Sequence, residues 1–577
     1  MSQTETNDDL SIQNKVFELP ITFVEHNKLS KSLIDDLELT QFKDNKDSNF
    51  YESILDPQTT YGKTIAREWA NYYTRDEEFL NQSQYLYKNY DASMNVYNQE
   101  KLENIKTIWE DIKSDTNFIN KFHYVEYDFA QQLNESAPFL QILTVYNLLS
   151  PVLSILLPVI FIIMPFFILQ LQGITISFSK YVEVLRQVVG KHAIGQIFTL
   201  TSEISWEKRF YILISIGFYV FQIYQNFMCC ISFYKRMRLM HEYIFNIKDY
   251  IDYNIEKMDE FLFVSNSLTR YKDFNDKIKL HKKRLIDLKS NINNITPFSH
   301  NLNKLLQIGS TMQIFYSLHK DETYDEAMRF SMSFIGYLDN IHSIHKLCDT
   351  KKINACTFSK KYTKFKDAYY PLVTNKPVKN SYTLKKQLII TGPNAAGKTT
   401  MLKTTTINII LSQQIGCGFY KKCSITPFSD IHCYLNIPDT SGRDSLFQAE
   451  ARRCKEILDK IMAAAPSEKH FCIFDELYSG TNPYEAVASS YSFLEFLTRQ
   501  KNATFMLTTH FIDLCEKLEK NFNIKNCHMS IDSHDNKFKY EYKILPGISR
   551  IKGGIKVLEN LQYPEYIISK ANQELNS

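Results

Sequence analysis

The stretch Gly392-Pro393-Asn394-Ala395-Ala396-Gly397-Lys398-Thr399 decides the class of the C-terminal part of the chain. It matches the pattern GxxxxGK[ST], in which glycines let backbone N–H groups surround phosphates. The apolar run Gln387 to Thr391 suits a buried strand, and Thr400 to Gln414 reads as a helix whose N-terminus faces the loop. The stretch therefore predicts an α/β domain that binds ATP, with Lys398 on the β- and γ-phosphates and Thr399 on Mg²⁺.

Two further apolar runs end in polar residues, as strands do at a ligand-binding sheet edge. Phe471-Cys472-Ile473-Phe474 is followed by Asp475 and Glu476, and Thr504 to Thr509 is followed by His510. We expect Asp475 to hold Mg²⁺, directly or through water, and Glu476 to polarise or orient the attacking water. We expect His510 to sense the γ-phosphate or to position water. The alternatives are a surface acid pair and a structural histidine.

Taken together, these motifs resemble those of the MutS family of DNA mismatch repair ATPases, within the wider ABC class. Ile390-Thr391-Gly392-Pro393-Asn394 is similar to the ITGPN opening of that family, and Leu411 to Gly416 resembles its LAQ-x-G segment. Asp475 to Thr481 resembles the DEL-x-x-GT motif, and Thr509-His510 matches the TH motif. Residues 546–571 resemble the closing helix-turn-helix region. The resemblance covers about 345–577 well and is fainter over 56–130 and 236–345.

The resemblance implies a dimer, a homodimer or a heterodimer with another MutS-like chain, in which a partner serine reaches the γ-phosphate. Ser445, Phe447 and Glu450 keep the S-x-F-x-x-E spacing of the family, so Ser445 is the candidate. The predicted catalytic residues are Lys398, Glu476 and His510, and the predicted metal ligands are Thr399 and Asp475. The predicted ATP-binding residues are Gly392, Pro393, Asn394, Ala395, Ala396, Gly397, Lys398, Thr399, Thr400 and Ser445.

The middle of the chain contains two long uncharged runs. No charged residue lies between Glu135 and Lys180, and a second uncharged run extends from Phe210 to Tyr234. Crossing a membrane takes about 20 apolar residues, so both runs are long enough. We predict two membrane helices, at about 148–172 and 210–234. A buried helical hairpin in a soluble domain and a re-entrant hairpin are the alternatives.

At 577 residues, the chain is long enough for several domains. Composition shifts and motifs divide it into six predicted regions. These are an N-terminal segment (1–55), a first part of a helical core (56–135), the hydrophobic region (136–235), a helical core and lever (236–368), a connector (369–386) and the MutS-like ATPase domain with its helix-turn-helix (387–577). The predicted fold is thus α/β at the C-terminus and mostly helical elsewhere.

The net charge bears on how the protein could contact DNA, and the cysteine content bears on its cellular compartment. A formal net charge of +3 excludes a whole-molecule basic field for nucleic acid, so DNA contact requires a local patch. Eleven scattered cysteines without a CxxC pair indicate neither a disulfide framework nor a cysteine zinc site. The start of the chain lacks the pattern of a signal peptide. We expect a protein that is membrane-associated and not secreted, with its ATPase domain in the cytosol or an equivalent nuclear or viral-factory compartment.

The lysine-rich segment Tyr271 to Lys289 is a candidate local patch. One interpretation is a helix that contacts DNA phosphates. The favoured interpretation is a solvated helix face or a surface near anionic lipid.

Departures from the family pattern leave the biology open. Phe50-Tyr51-Glu52 fits the Phe-x-Glu motif of a mismatch sensor, but only a few residues separate it from the start of the helical core at Asp56. We interpret the tripeptide as structural and expect a short variant without a mismatch-recognition domain. In the main hypothesis, ATP-driven closure of a dimer is coupled to the binding of double-stranded or branched DNA, in mismatch repair or recombination. The alternatives are a membrane-embedded ATPase for membrane or transport work, and a scaffold with little turnover.

Overall fold

The computed structural model describes residues 16–43, 48–90, 98–174, 176–189, 206–298, 306–435, 445–520, 523–534, 537–551, 555, 558–559 and 561–576. The chain divides into two compact units. Unit 1 comprises Met1–Gln99, Met258–His281 and Arg329–Ser577, and unit 2 comprises Glu100–Lys257 and Lys282–Met328.

Helices dominate the described residues. The α-helices are α1 (Lys31–Asp36), α2 (Phe50–Leu55), α3 (Thr60–Glu68), α4 (Glu77–Lys88), α5 (Gln99–Lys113), α6 (Phe118–Lys121), α7 (Ala137–Leu171), α8 (Phe178–Val189), α9 (Trp206–Ser265), α10 (Lys272–Asn293), α11 (Ile308–Lys320), α12 (Glu322–Asp349), α13 (Lys398–Gln414), α14 (Leu446–Ala463), α15 (Pro483–Arg499), α16 (Ile512–Glu519) and α17 (Glu565–Asn576). Short 3₁₀ helices lie at Pro20–Phe23, Trp69–Asn71, Asp128–Glu135 and Thr269–Tyr271.

The described strands lie in unit 1. They are β1 (His26–Lys28), β2 (Tyr72–Thr74), β3 (Asn354–Phe358), β4 (Thr363–Ala368), β5 (Asn380–Leu384), β6 (Gln387–Thr391), β7 (Cys417–Gly418), β8 (Lys422–Ile425), β9 (Asp430–Tyr434), β10 (His470–Asp475), β11 (Ala503–Thr508), β12 (Ile524–His534) and β13 (Lys537–Pro546). An α/β C-terminal part and a mostly helical remainder agree with the predicted fold class. The finer assignment to the phosphate-loop ATPases stays a prediction.

A six-stranded sheet in the order β13-β12-β6-β11-β10-β9 organises the C-terminal part of unit 1. The pairs from β12 to β9 are parallel, and β13 is antiparallel to β12. Every residue of β6 is buried, as expected of a strand covered on both faces. Because the central strands are parallel, the segments that follow β6, β10 and β11 emerge at one edge of the sheet.

A second sheet, in the order β5-β4-β8-β3-β7, begins before the predicted boundary at 387. Strands β3 and β4 lie within 236–368, which was predicted to be helical, and β5 lies within the predicted connector 369–386. These two predictions are wrong. Burial alternates along β4 and β5, but the buried positions include the polar residues Thr363 and Asn380. Hydrophobicity therefore alternates less clearly than burial, which weakens the strand signal in the sequence.

Helix α13 links the sheet region to the N-terminal part of unit 1. The buried Gln414 amide donates to the carbonyls of Trp69 and Tyr72, and its oxygen accepts from the Tyr51 hydroxyl at 2.7 Å. Phe50 and Tyr51 are buried, and Glu52 pairs with Arg67 at 2.6 Å. The Phe50-Tyr51-Glu52 side chains therefore take part in packing and pairing, as in the structural interpretation.

In unit 2, α7 and the first part of α9 pack against each other in opposite directions. The Tyr219 hydroxyl donates to the Ser154 carbonyl at 2.8 Å, and the Cys230 thiol contacts the Leu148 carbonyl at 3.8 Å. Helix α7 continues through Pro151, Pro158 and Pro165. The two predicted apolar runs thus form a helix pair. Helix α7 begins before the predicted limit at 148 and ends at Leu171, and α9 extends beyond both predicted limits of 210–234.

The lysine-rich segment forms α10, and several of its cations are paired with acids. Lys279 contacts Asp276, Arg284 contacts Glu326, and Lys289 contacts Asp252. This pairing favours the solvated helix face over a dedicated phosphate-binding row. The predicted closing helix-turn-helix falls partly outside the described residues, which include α17.

Candidate functional site

The loop 392–397 joins the buried strand β6 to the N-terminus of α13. Gly397 has φ +88°, and a Cβ atom there would lie 2.9 Å from the Tyr542 ring. Both the backbone conformation and the space therefore require glycine at this position. Ala395 also has a positive φ, of 62°, which an L-residue adopts only at a cost. The loop is held in an unusual conformation that turns its backbone around the start of the helix.

Lys398 lies at the centre of this loop. Its side chain is buried, and its ammonium group donates to the Gly392 carbonyl at 2.9 Å and to the Pro393 carbonyl at 3.3 Å. Burial lowers the pKa of Lys398, and the Glu476 and Asp475 carboxylates oppose this shift. The two acids therefore help to keep a buried cation charged.

The end of β10 places two carboxylates beside the loop. The Thr399 hydroxyl donates to Asp475 Oδ2 at 2.7 Å, and the Thr508 hydroxyl donates to Asp475 Oδ1. Hydroxyl and carboxylate oxygens are ligands that Mg²⁺ prefers. The predicted metal ligands Thr399 and Asp475 are in direct contact, so this oxygen pair fits a magnesium ion.

Glu476 and His510 form the other side of the cluster. His510 Nε2 lies 3.0 Å from Glu476 Oε1 and 2.9 Å from Lys398 Nζ. A protonated Nε2 donates to Glu476, whereas an unprotonated Nε2 accepts from the Lys398 ammonium group, so the two hydrogen bonds are alternatives. The hydrogen bond from His510 lowers the pKa of the Glu476 carboxyl, which burial opposes. Glu476 has φ 51°, and such strain in a non-glycine residue is often retained at functional sites.

The loop that follows Glu476 is held by Glu450 of α14. The Glu450 carboxylate is buried and accepts from the Ser479 N–H, the Ser479 hydroxyl and the Gly480 N–H at 3.1–3.2 Å. Phe447 packs on Tyr478 with ring centroids 5.6 Å apart. Phe447 and Glu450, which belong to the S-x-F-x-x-E spacing, therefore contact the segment that follows Asp475 and Glu476 in the same chain.

Ser445 is the N-cap of α14. Its hydroxyl accepts from the Gln448 N–H at 3.3 Å, and the Gln448 side chain accepts from the Ser445 N–H at 2.9 Å. This reciprocal pair is a capping box. Residues 441–444 before it lie outside the described residues, so the structure gives Ser445 a local role and leaves its predicted role across a dimer untested.

Two pockets flank the cluster. One, of about 390 Å³, lies beside Gly397 and Thr400; Tyr369, Tyr370, Val378, Met529 and Tyr542 are among its other lining residues. The other, of about 670 Å³, contains Asp475, Glu476, Glu450, Ser479 and, from the N-terminal segment, Ser32, Asp35, Asp36 and Lys43. The sequence motifs do not reveal the aromatic wall of the first pocket (Tyr369, Tyr370 and Tyr542) or the N-terminal wall of the second (Ser32, Asp35, Asp36 and Lys43). These residues are remote in sequence from the phosphate loop.

Residues 388–577 match the family model described as MutS domain V. Over these residues, the chain is similar to the MutS family. It is 24% identical over 301 residues to the DNA mismatch repair protein MutS of Bacillus licheniformis, covering 52% of this chain and 31% of that protein. It is 32% identical over 200 residues to the DNA mismatch repair protein MSH2 of Saccharomyces cerevisiae, covering 33% of this chain and 20% of that protein.

A third relative is named for a different activity. The endonuclease MutS2 of Thermus thermophilus is 26% identical over 253 residues, covering 43% of this chain and 32% of that protein. The matched segments span less than a third of the length of each of these three relatives. The recognised family is thus confirmed, and the domain V match contains the whole cluster from Gly392 to His510.

Proposed function

We propose that this chain binds ATP with Mg²⁺ at the phosphate loop of its MutS domain V and hydrolyses it. The observation that carries the proposal is the convergence of Lys398, Thr399, Asp475, Glu476 and His510 through contacts of 2.7–3.0 Å. These side chains come from three separate segments, and each has a part in phosphoryl transfer. Thr399 and Asp475 would hold Mg²⁺, which supplies positive charge to the β- and γ-phosphate oxygens when bound.

The residues of the chain divide the work of hydrolysis. The N-terminus of α13 and the Lys398 ammonium group bind and neutralise phosphate charge. Glu476 accepts a hydrogen bond from the attacking water and orients it, and its lowered pKa keeps it ionised for this task. His510 Nε2 contacts both the Glu476 carboxylate and the Lys398 ammonium group. A phosphate bound by Lys398 would therefore change which of these two contacts His510 makes.

The 390 Å³ pocket beside Thr400 is the proposed site of the nucleotide base. Its aromatic and aliphatic lining offers apolar surface and ring faces for a planar base, next to the loop that would hold the phosphates. Gly397 and Tyr542 both line this pocket, and a Cβ atom at Gly397 would lie 2.9 Å from the Tyr542 ring, so a side chain there would displace part of the pocket wall.

We propose that ATP binding is coupled to DNA through a dimer. The similarity to DNA mismatch repair proteins supports the DNA role. The family spacing around Ser445 supports a site completed by a second MutS-like chain. Ser445 lies at an exposed helix N-terminus. In the proposed dimer, its hydroxyl leaves the local cap and reaches the nucleotide of the partner, so ATP binding closes the interface and hydrolysis releases it.

The test is an ATPase assay on the purified full chain, with and without Mg²⁺ and with perfect, mismatched or branched duplex DNA. We expect turnover to require Mg²⁺ and to change with at least one DNA form, and the DNA effect to weaken steeply as salt rises. An absence of Mg²⁺-dependent turnover would contradict the ATPase proposal. Turnover that no DNA form alters, together with no DNA binding, would contradict the DNA role.

A second proposed function is action at a membrane, and the exposure of α7 and α9 favours it. The candidate spans Ala137–Leu156 and Leu213–Ser265 have only 11% and 0% of their most apolar windows buried. A core helix of a soluble protein would bury such a surface, because exposed apolar area costs about 25 cal/mol per Å². Ile155, Phe167 and Phe218 are each more than half exposed. Lipid would cover these side chains.

Membrane extraction separates this second function from the first. We expect the full chain to remain with the membrane fraction in high salt and at alkaline pH, and to be released by detergent. The variant Ile155→Arg should weaken this association, since a central arginine costs about 2.5–3.5 kcal/mol on insertion scales. Ile286→Arg, at a partly exposed position on α10, is the matched control. A parent chain that stays soluble without detergent would exclude membrane insertion.

A further inference from the structure

Two histidines and an aspartate meet at the edge of the six-stranded sheet opposite to the phosphate loop. His470 is the first residue of β10, whereas Asp475 is the last, which places them roughly 16 Å apart along the strand. In the parallel register, His470 pairs with Asp430 and Cys472 pairs with His432. Asp430 and His432 are two residues apart on β9, so their side chains share one face of the sheet.

The ligand atoms of these three residues converge. His432 Nε2 lies 3.0 Å from His470 Nδ1, and His470 Nδ1 lies 3.8 Å from Asp430 Oδ2. One ligand atom from each residue falls within 4.8 Å of the others. A tetrahedral Zn²⁺ ion with Zn–N distances of about 2.0–2.1 Å separates two ligand nitrogens by about 3.3 Å. The two rings would need to part by only a few tenths of an ångström to admit an ion.

The surroundings suit a cation with nitrogen ligands. His470 and His432 are buried, at 0% and 6% exposure, while the Asp430 side chain is 46% exposed and provides access from solvent. The facing ring nitrogens, Nε2 of His432 and Nδ1 of His470, are the atoms that would bind the ion. A carboxylate beside two imidazoles is a common ligand set for Zn²⁺ and related ions.

We propose that Asp430, His432 and His470 bind one divalent transition-metal ion, Zn²⁺ or an ion of similar chemistry, with water completing the coordination. The ion joins the start of β10 to β9 and takes no part in ATP hydrolysis. The site is independent of the proposed ATPase function, because it uses none of the residues around the phosphate loop. Without an ion, the two rings form a single N–H···N hydrogen bond, and this is the competing state.

The experiment uses the full chain, stripped with a chelator, and then titrated with Co²⁺ in excess Mg²⁺ so that the Thr399–Asp475 site is supplied with its own ion. We expect one Co²⁺ per chain, with visible ligand-field bands and no thiolate charge-transfer band, since the ligands are nitrogen and oxygen. Zn²⁺ should displace Co²⁺ and raise the midpoint of thermal unfolding. Absence of stoichiometric binding, or a thiolate band, would overturn the proposal.

Variants locate the ion. His432→Gln should abolish the ligand-field bands, and Asp430→Asn, at a partly exposed position that tolerates the change, should weaken Co²⁺ binding by about tenfold or more. His528→Gln, in the same sheet, and Asp459→Asn, on the exposed face of α14, are the matched controls and should bind as the parent does. Unchanged binding in both His432→Gln and Asp430→Asn would show that the ion lies elsewhere and refute this site.

Discussion

A chain with Lys398→Ala hydrolyses ATP at least about a hundredfold more slowly than the parent and binds it more weakly. The Lys398 ammonium group is buried among the Gly392 and Pro393 carbonyls, His510 and two carboxylates, so the loop is arranged around one positive charge. Removing one such group from a preorganised site costs about 2.7–4 kcal/mol of transition-state stabilisation. The measurements are steady-state turnover and equilibrium binding of a fluorescent ATP analogue.

The matched control for Lys398→Ala is Lys403→Ala, which removes a lysine from the same helix. Lys403 pairs with Glu38 at 3.5 Å, away from the acid pair at the end of β10. We expect Lys403→Ala to keep parental turnover, and both variants to keep the far-ultraviolet circular dichroism of the parent. Equal turnover and ATP binding by Lys398→Ala and the parent would remove the basis of the proposed ATPase.

The variant Glu476→Gln should retain ATP binding and lose turnover by about 10²–10³-fold. Glutamine has nearly the same shape but no negative charge, so it orients water poorly and cannot accept a proton. Loss of the carboxylate also removes a negative charge beside His510 and Lys398. Repulsion between the site and the bound phosphates is then weaker. We therefore expect a stable complex with ATP, measured as nucleotide retained through gel filtration.

Glu485→Gln is the matched control for Glu476→Gln. Glu485 is exposed on the first turn of α15 and accepts a hydrogen bond from Thr481 at 2.7 Å. Its replacement makes the same chemical change a few residues from the site and should leave turnover near the parental value. Parental turnover in Glu476→Gln would show that another group orients the water. The proposal that the chain hydrolyses ATP would then rest on the result for Lys398→Ala.

The two variants separate binding from chemistry. Lys398→Ala weakens both steps because its charge neutralises phosphate in the ground state and in the transition state. Glu476→Gln affects the chemical step, because the water that Glu476 orients reacts only there. A dimer that forms in ATP with Glu476→Gln, and not with Lys398→Ala, would also support the proposed closure of the interface by ATP.

The contacts of Glu450 indicate how this closure could be linked to the acid pair. Glu450 lies on α14, which Ser445 begins, and its carboxylate holds the backbone of Ser479 and Gly480. A Cβ atom at Gly480 would lie 2.7 Å from the Leu446 side chain, so the loop and the start of α14 are closely packed. In the proposed dimer, we expect a movement at Ser445 to reach the segment that follows Glu476 through these contacts.

The sequence alone predicts the cluster of Lys398, Thr399, Asp475, Glu476 and His510. Each residue follows or begins an element with a strong local signal, either a buried apolar strand or a glycine loop that opens a helix. Parallel strands then leave little choice about where their ends meet. The two apolar runs in the middle of the chain can also be predicted from the sequence, because a long stretch without charge is recognised without tertiary information.

The residues that surround this cluster become apparent only once the chain is folded. Strands β3, β4 and β5 are short and contain polar residues at buried positions. The pairing of β3 and β4 with β8 depends on contacts between residues distant in sequence, and β5 joins the sheet through β4. The aromatic wall at Tyr542 and the Asp430–His432–His470 cluster have the same origin. Side chains at these positions acquire a shared role only when the chain brings separate strands together, which no local pattern of residues encodes.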